Sequence, residues 1–475
     1  MLREIPDCLQ VDGESARRWF FSHEQDLIVW LGASGAPEAF QLCYDKSGAE
    51  KALRWSAQAG YSHYWVDPGE AGGRNSTPLL CDGGDFAAAV VLRRFVGLAI
   101  ELPEEVVNFV VDRLSHHPGY HRSAAPALAG PGGTGARAGG TGKGHRMQQR
   151  RLGNSGLKVS RLCLGTMTFG YQTAREDSFA ILDRAAEAGI NFIDTADVYP
   201  LSADLSTVGH SEEIVGHWLA GKRGDFILAT KAGGKSGPKP WDRGASAKHL
   251  LEAVDASLRR LKTDYVDLYQ LHYDDPLTPL DETLAALDQI VRSGRARYIG
   301  VSNFLAYRLA LALGRAQARS WTRIICVQPR YNLLFRQTER ELFPLASEED
   351  LGVIPYNPLA GGLLTGKHRP DAPAAAGRFT IGITAKTYQE RYWHDREFRT
   401  VDSLHRLAED AGVSLATLSV AWVLANPVIT SVIIGASHAA QLDATVAALS
   451  VQLDPALKAQ LDDLTLEYRL GDATR

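Results

Sequence analysis

The stretch NFIDTADVYP constrains the chain most: an apolar run reading as a strand stops on Asp194, and Tyr199 follows shortly after. A carboxylate and a phenol at a strand exit suggest proton chemistry. Three later runs repeat the pattern, with FILATK stopping on Lys231, YVDLYQLH on His272, and ARYIGVSN on Ser302 and Asn303. Each is a β-branched and aromatic run that ends on a polar residue, and the intervals between those ends leave room for one helix and two loops. That is the period of a βα repeat. Eight such units close a (β/α)8 barrel, whose active site is built at the C-terminal ends of its parallel strands. A carboxylate, a lysine and a histidine arriving there in turn converge on one mouth.

The remaining units follow on either side. RRLGNSGLKVSRLCLGTM reads as a hairpin turning at GNSG, then a first barrel strand ending at Thr166 and Met167. Helices are expected at EDSFAILDRAAEAGI, SEEIVGHWLAG, SAKHLLEAVDASLRRL and LDETLAALDQIVRSG. ICVQPRYN supplies a sixth strand ending near Gln328, GVIPYNPL a seventh ending at Tyr356, and VITSVIIGAS an eighth ending at Gly435. Between the seventh strand and the helix at TVDSLHRLAEDAG, a segment from about 366 to 399 reads as a long loop on the mouth. Such a loop is usually a lid or a substrate wall, and Tyr392 and Trp393 either line the pocket or sit on a surface helical turn.

From about Met147 to near the C-terminus the sequence resembles the aldo-keto reductase superfamily, nicotinamide-dependent carbonyl reductases built on this barrel, and most of all its aryl-alcohol-dehydrogenase-like branch. The family's catalytic residues fall on Asp194 and Tyr199 of DTADVY, Lys231 of ATK and His272 of QLH. In the scheme this implies, Tyr199 gives a proton to the developing alkoxide and Lys231 eases that transfer. Asp194 holds the lysine charged and aimed, and His272 orients the carbonyl oxygen.

The resemblance also implies NADP(H), held extended across the mouth without a Rossmann fingerprint. Ser302, Asn303 and Gln328 are then expected on the carboxamide, Tyr356 stacked on the nicotinamide, and Thr166 and Met167 near the ribose. NPLAGGLLTGK resembles the loop that covers the pyrophosphate, with Leu359, Gly361, Leu363 and Lys367 as contacts. At the adenosine end, Gly435, Ser437 and Gln441 match the family pattern. His438 stands where arginine is frequent, and Ala444 and Thr445 replace the expected adenine-contacting pair, so the preference for NADPH over NADH is expected to be modest. The implied partner is a small carbonyl substrate, an aldehyde or ketone.

At 475 residues the chain exceeds one barrel. Residues 1–122 read as a small α+β domain: RRWFF, DLIVWLG, FQLCYD and YSHYWV as an antiparallel sheet, then two helices, one with Val90, Val91, Phe95 and Leu98 on a face. His23, His63, Asp67 and Glu70 carry no spacing that fixes a metal or a triad, and no metal site is expected. Residues 123–146 form a Gly- and Ala-rich linker. Its GGTGKG mimics a phosphate loop but has Gly144 where Ser or Thr should stand, and no strand precedes it. Residues 147–475 are assigned to the barrel.

A net charge of −4 gives no argument for nucleic acid or an anionic membrane. The most apolar early stretch, FAAAVVLRRFVGLAIEL, carries Arg93 and Arg94 at its middle and is too short to span a bilayer. Five scattered cysteines without CxxC spacing read as reduced thiols of a cytoplasmic protein, and the sequon at Asn75 is discounted accordingly. Two alternatives stay open. The barrel could serve as a cofactor-binding regulatory subunit, as potassium-channel β subunits of this fold do, or the first domain could regulate it in cis. Oligomeric state is not readable.

Overall fold

The computed structural model describes residues 2–5, 8, 15–22, 25–44, 51–67, 79–82, 88–99, 102–118, 147–202, 204–372, 377–382 and 384–470. Chain contacts divide it into two compact units, 1–140 and 141–475.

The first unit carries a seven-stranded antiparallel meander in sequence order: β1 (Arg3–Glu4), β2 (Arg17–Phe21), β3 (Asp26–Leu31), β4 (Pro37–Tyr44), β5 (Lys51–Ser56), β6 (Gly60–Asp67) and β7 (Leu79–Asp82). Alternation puts Phe20, Leu27, Val29, Phe40, Leu42 and Leu53 on one buried face. Two helices, Ala88–Leu98 and Glu104–Ser115, cover it through Val91, Phe95, Val106, Val110 and Leu114. The expected α+β sheet is present, with three additional strands, β1, β5 and β7, that the pattern did not single out. His63 accepts or donates a hydrogen bond at 2.5 Å to the Tyr44 hydroxyl, a structural pairing between strands. His23, Glu70, Asn75 and the stretch 123–146 lie outside the described residues, as does the side chain of Asp67.

The second unit is a barrel. A hairpin, β8 (Gln149–Arg151) and β9 (Lys158–Ser160), precedes eight parallel strands: β10 (Leu162–Gly165), β11 (Phe192–Asp194), β12 (Ile227–Ala232), β13 (Val266–Leu271), β14 (Ala296–Ser302), β15 (Ile324–Gln328), β16 (Gly352–Val353) and β17 (Val432–Ile434). β10 pairs with both β11 and β17, so the sheet runs from β16 round to β17. Closure between those two is made by single bonds: the Thr430 and Ile433 amides donate to the Val353 and Pro355 carbonyls at 2.8 and 2.9 Å. The seventh strand was expected to reach Tyr356, but its ladder stops at Val353. Pro355 has no N–H to donate, and Tyr356 rejoins the sheet through an isolated bridge to Arg330.

Along each strand the inward side alternates with a side packed against helices. Cys163, Phe192, Ala229, Leu268, Cys326 and Ile433 form one cluster with Leu152 and Val159 of the hairpin, an apolar plug at the bottom of the barrel. The outward residues join the helices in the main core, for example Ile193, Leu228 and Tyr269 with Leu182, Val215 and Val254. Met147 packs beside the start of β11, close enough that a Cβ at Gly189 would lie 2.8 Å from it. Among the described residues no single helix is long and apolar enough to cross a membrane.

Candidate active site

Two residues beyond the apolar plug, on the same inward side, the strands carry Asp194, Lys231, Gln270 and Gln328. Register puts Lys231 opposite Gln270, and Gly300, between Gln270 and the sixth strand, leaves room for the Gln270 and Gln328 side chains to meet. All four are essentially buried.

The Lys231 ammonium has three donors and three acceptors: Asp194 Oδ2 at 2.5 Å, the Thr195 carbonyl at 2.9 Å and Tyr199 Oη at 3.4 Å. The other carboxylate oxygen, Asp194 Oδ1, accepts from Gln270 Nε2 at 2.9 Å and Gln328 Nε2 at 3.0 Å. Gln328 also donates to Gln270 Oε1 at 3.1 Å. The buried ion pair is therefore closed on both sides, the condition under which such a pair is tolerated.

Gln270 was missed in the sequence. Its signal is a polar residue on the inward side of an otherwise apolar strand, two places before His272.

Tyr199 stands over this cluster with its ring edge-on to His272, centroids 5.6 Å apart. Burial pushes the phenol well above its ordinary range, and the Asp194 carboxylate pushes it further; Arg378 pulls the other way. Lys231, whose ammonium lies 3.4 Å from Tyr199 Oη, is at the same time paired with Asp194. The phenol is held protonated. His272 is held neutral, with burial first and Lys231 second lowering its pKa well below the usual imidazole value. Its ring stacks on Tyr273 with centroids 4.4 Å apart.

A cavity of about 730 Å³ opens above these groups at the C-terminal ends of the strands. Asp194, Tyr199, His272, Met167, Ser302, Asn303, Gln328, Tyr356, Leu359, Gly361, Lys367, Gly435, Ser437 and Gln441 line it, together with Ala444 and Thr445. The strand ends are knitted together: Ser302 Oγ donates to the Gln328 carbonyl at 2.8 Å, Asn303 Nδ2 to the His272 carbonyl at 3.0 Å, and Tyr356 Oη to Asn303 Oδ1 at 2.8 Å.

Four expected residues lie off the wall. Lys231 sits beneath Asp194 and Tyr199. Thr166 is enclosed, its hydroxyl on the Asp194 carbonyl at 3.2 Å. Leu363 belongs to the main core, because the tight turn Ala360–Thr365 rotates it away from the mouth. His438 is exposed on the loop after β17.

The glycine loop also differs in detail from the expectation. The Gly361 amide donates to Asn357 Oδ1 at 2.6 Å, so it is engaged within the turn. Its glycine is demanded by a φ of 71° and by the Tyr388 ring, which a Cβ would approach to 2.6 Å. Gly435 is the opposite case: a Cβ there would meet nothing nearer than the Gly165 carbonyl at 3.7 Å, so packing does not explain the residue. The room it leaves is on the cavity wall, which suits a bound group passing close to the backbone.

The long segment before the last helices is partly ordered as a helix, Ala385–Tyr392, and the next helix, Asp395–Asp410, starts earlier than expected. The cavity is lined from one side of the first by Thr384, Thr387, Tyr388 and Arg391, which share a helical face. Tyr392 and Trp393 fall on the other side. Tyr392 is buried, its hydroxyl accepting from Asn332 and Asn357 at 3.0 Å each, and Trp393 packs against Phe379 and Phe398.

Fold and cluster together define a (β/α)8 barrel with a buried Asp–Lys pair, a phenol and an imidazole gathered at its strand ends. Residues 161–465 match the Aldo/keto reductase family model, and the chain belongs to that family. It is 37% identical over 326 residues, 67% of this chain and 96% of the relative, to the uncharacterized oxidoreductase YrpG of Bacillus subtilis (strain 168). A probable voltage-gated potassium channel subunit beta of Arabidopsis thaliana is 37% identical over 310 residues, 64% of this chain and 92% of that protein. The L-glyceraldehyde 3-phosphate reductase of Escherichia coli (strain K12) is 35% identical over 312 residues, 64% and 88% of the two chains. The matched span of the family model leaves the first unit outside it.

Proposed function

We propose that the chain is an NADP(H)-dependent reductase that converts an aldehyde or ketone to the alcohol. The observation that carries this reading is the closed Asp194–Lys231 pair beneath a protonated Tyr199 and a neutral His272 at the base of one cavity. The cofactor would be held by Ser302, Asn303, Gln328 and Tyr356 at one end and by Gly435, Ser437 and Gln441 at the other, with Lys367 toward its phosphates.

When bound and reduced, it supplies the hydride. Tyr199 supplies the proton, from Oη to the carbonyl oxygen. The phenolate left behind is met by Lys231 at 3.4 Å and by the field of Arg378, which matter most once the charge has formed. His272, neutral, offers the carbonyl oxygen a hydrogen bond without competing for the proton.

Relatives whose names say oxidoreductase and reductase support the enzyme reading. The buried thiols Cys163 and Cys326 fit a cytoplasmic setting. The potassium-channel-subunit relatives favour a second reading, in which the barrel binds the cofactor and serves another protein. One assay separates the two: NADPH oxidation with a panel of aromatic aldehydes, diketones and ketosugars. Steady turnover with any of them supports the reductase. Tight NADPH binding with no turnover across the panel supports the regulatory subunit.

A further inference from the structure

The walls of the cavity are not electrically balanced. Its charged lining residues are Asp194, Lys367, Arg378 and Arg391, and Asp194 is already committed to Lys231. Many arginines of the barrel end on a carboxylate: Arg223 on Asp267, Arg260 on Glu212, Arg308 on Asp274 and Arg396 on Glu397, all within 2.9 Å. Among the described residues, the two on the cavity wall form no ion pair.

Both are nonetheless placed. Arg378 Nη1 lies 3.3 Å from Met167 Sδ and 3.4 Å from Tyr388 Oη, weak partners for a guanidinium. Arg391 is one helical turn from Tyr388 on the face that lines the cavity. The fields agree with this placement: Arg378 acts on Tyr199, and Arg391 on Tyr273 and Tyr356, each lowering a phenol that burial raises. Tyr273 stacks on His272, so Arg391 faces the reacting end of the cavity. Lys367 is assigned to the cofactor's phosphates, which leaves two cations on a wall that carries no further carboxylate.

We infer that the substrate is an anionic carbonyl compound, its carboxylate or phosphate held by Arg391 with Arg378 beside it while the carbonyl lies between Tyr199 and His272. The inference rests on the reductase reading above and adds the class of substrate to it. A guanidinium fork suits both anions bidentately, so the shared chemistry is a planar or tetrahedral oxyanion at the far end of a short carbonyl compound.

The test uses the full chain with NADPH and matched substrates. 4-Carboxybenzaldehyde is compared with methyl 4-formylbenzoate, and glyceraldehyde 3-phosphate with glyceraldehyde. Each anion is expected to have a specificity constant at least about tenfold above its neutral partner, with the gain in KM. The larger of the two ratios identifies carboxylate or phosphate. In Arg391→Gln that ratio is expected to collapse toward one, and Arg391→Lys should restore part of it.

Equal constants for anion and neutral partner overturn the inference while leaving carbonyl reduction standing. A variant that raises KM for NADPH but keeps the anion ratio also overturns it, since the arginine would then serve the cofactor. Should no carbonyl turn over, the reductase reading fails and a binding readout still decides: 4-hydroxymethylbenzoate and glycerol 3-phosphate are titrated into the NADPH-loaded protein against benzyl alcohol and glycerol. Saturable binding of an anion, lost in Arg391→Gln, supports an anion site, and binding no tighter than that of the neutral alcohols sinks it.

Discussion

Two layers of the barrel interior lie two residues apart on the same strands. In the lower, Phe192, Ala229, Leu268 and Cys326 meet the hairpin residues Leu152 and Val159 in an apolar plug. In the upper, the same strands put Asp194, Lys231, Gln270 and Gln328 in one hydrogen-bonded cluster. A β-strand brings alternate side chains to one face, so a single inward face can hold a core at one height and a site at the next. The lower layer holds the barrel shut, and the upper layer costs stability unless every charge is answered.

The sharpest test of that contrast is Lys231→Met, which leaves Asp194 buried with two amide donors and no cation. Loss of one partner of a buried pair costs about 3–5 kcal/mol. The midpoint of denaturant unfolding should therefore fall, and carbonyl reduction should fall with it. An unchanged midpoint would mean that the pair is wetter than its burial indicates. Phe192→Ala, one step down the strand, should cost a comparable 3–5 kcal/mol through cavity creation. Its turnover per folded molecule should stay within about threefold, because no reacting group moves. If turnover collapses while the fold survives, the two layers are not separable.

Tyr199→Phe inverts the pattern. The hydroxyl acts on the developing alkoxide, so turnover should drop on the order of 10²–10⁴-fold while cofactor affinity and unfolding midpoint barely change. Wild-type turnover would remove Tyr199 from the role of proton donor.

The period of the strands, their polar ends and the glycine punctuation were legible because each is a local property of the sequence. The cluster's membership was legible from position on a strand, and Gln270 was readable by the same rule. What escaped was set by tertiary context. Burial at the barrel mouth, and after it the Asp194 carboxylate at the end of the preceding strand, decides which way Tyr199 shifts. The turn Ala360–Thr365 buries Leu363 where the family resemblance implied a cofactor contact. Pro355 ends the seventh ladder early, and the order of the helix Ala385–Tyr392 gives the wall to Thr387, Tyr388 and Arg391 in place of Tyr392 and Trp393. β5 escaped for another reason: KALRWS is too short and too charged to announce itself without its partners β4 and β6.

A smaller effect separates the layers by pH. Cys163 and Cys326 in the plug are pushed up by burial, so neither titrates in the neutral range. His272 is neutral when folded, yet binds a proton in the unfolded chain below a pKa of about 6.5. The unfolded state then holds the extra proton, and stability falls as pH drops through that window, by at most about 1.4 kcal/mol per unit. Asp197, its carboxyl pushed up by burial and then by Glu212, has the opposite slope. The readout is therefore the difference in unfolding free energy between wild type and His272→Gln, which should shift in favour of the variant from pH 7 to pH 5. A difference independent of pH would show that His272 is protonated in the fold.

The smallest expected effect is none at all. The upper layer is assembled entirely from β10 to β17 and their loops, and the plug is closed by β8 and β9, so every residue of both layers lies at or beyond Met147. The first unit has a core of its own, built from Phe20, Phe40, Phe95 and Val110 among others. We propose that residues 1–122 are an independent domain joined through 123–146 to a barrel at 147–475. A unit that buries its own core does not need a tethered neighbour in order to fold. A chain beginning at Met147 should then unfold cooperatively, and its specificity constant on one substrate should match the full chain within about twofold. A loss beyond about tenfold, roughly 1.4 kcal/mol of transition-state stabilisation, would assign the first domain a part in the site. Aggregation of the shortened chain would instead assign it a part in the fold, and either result would end the separation of the two units proposed above.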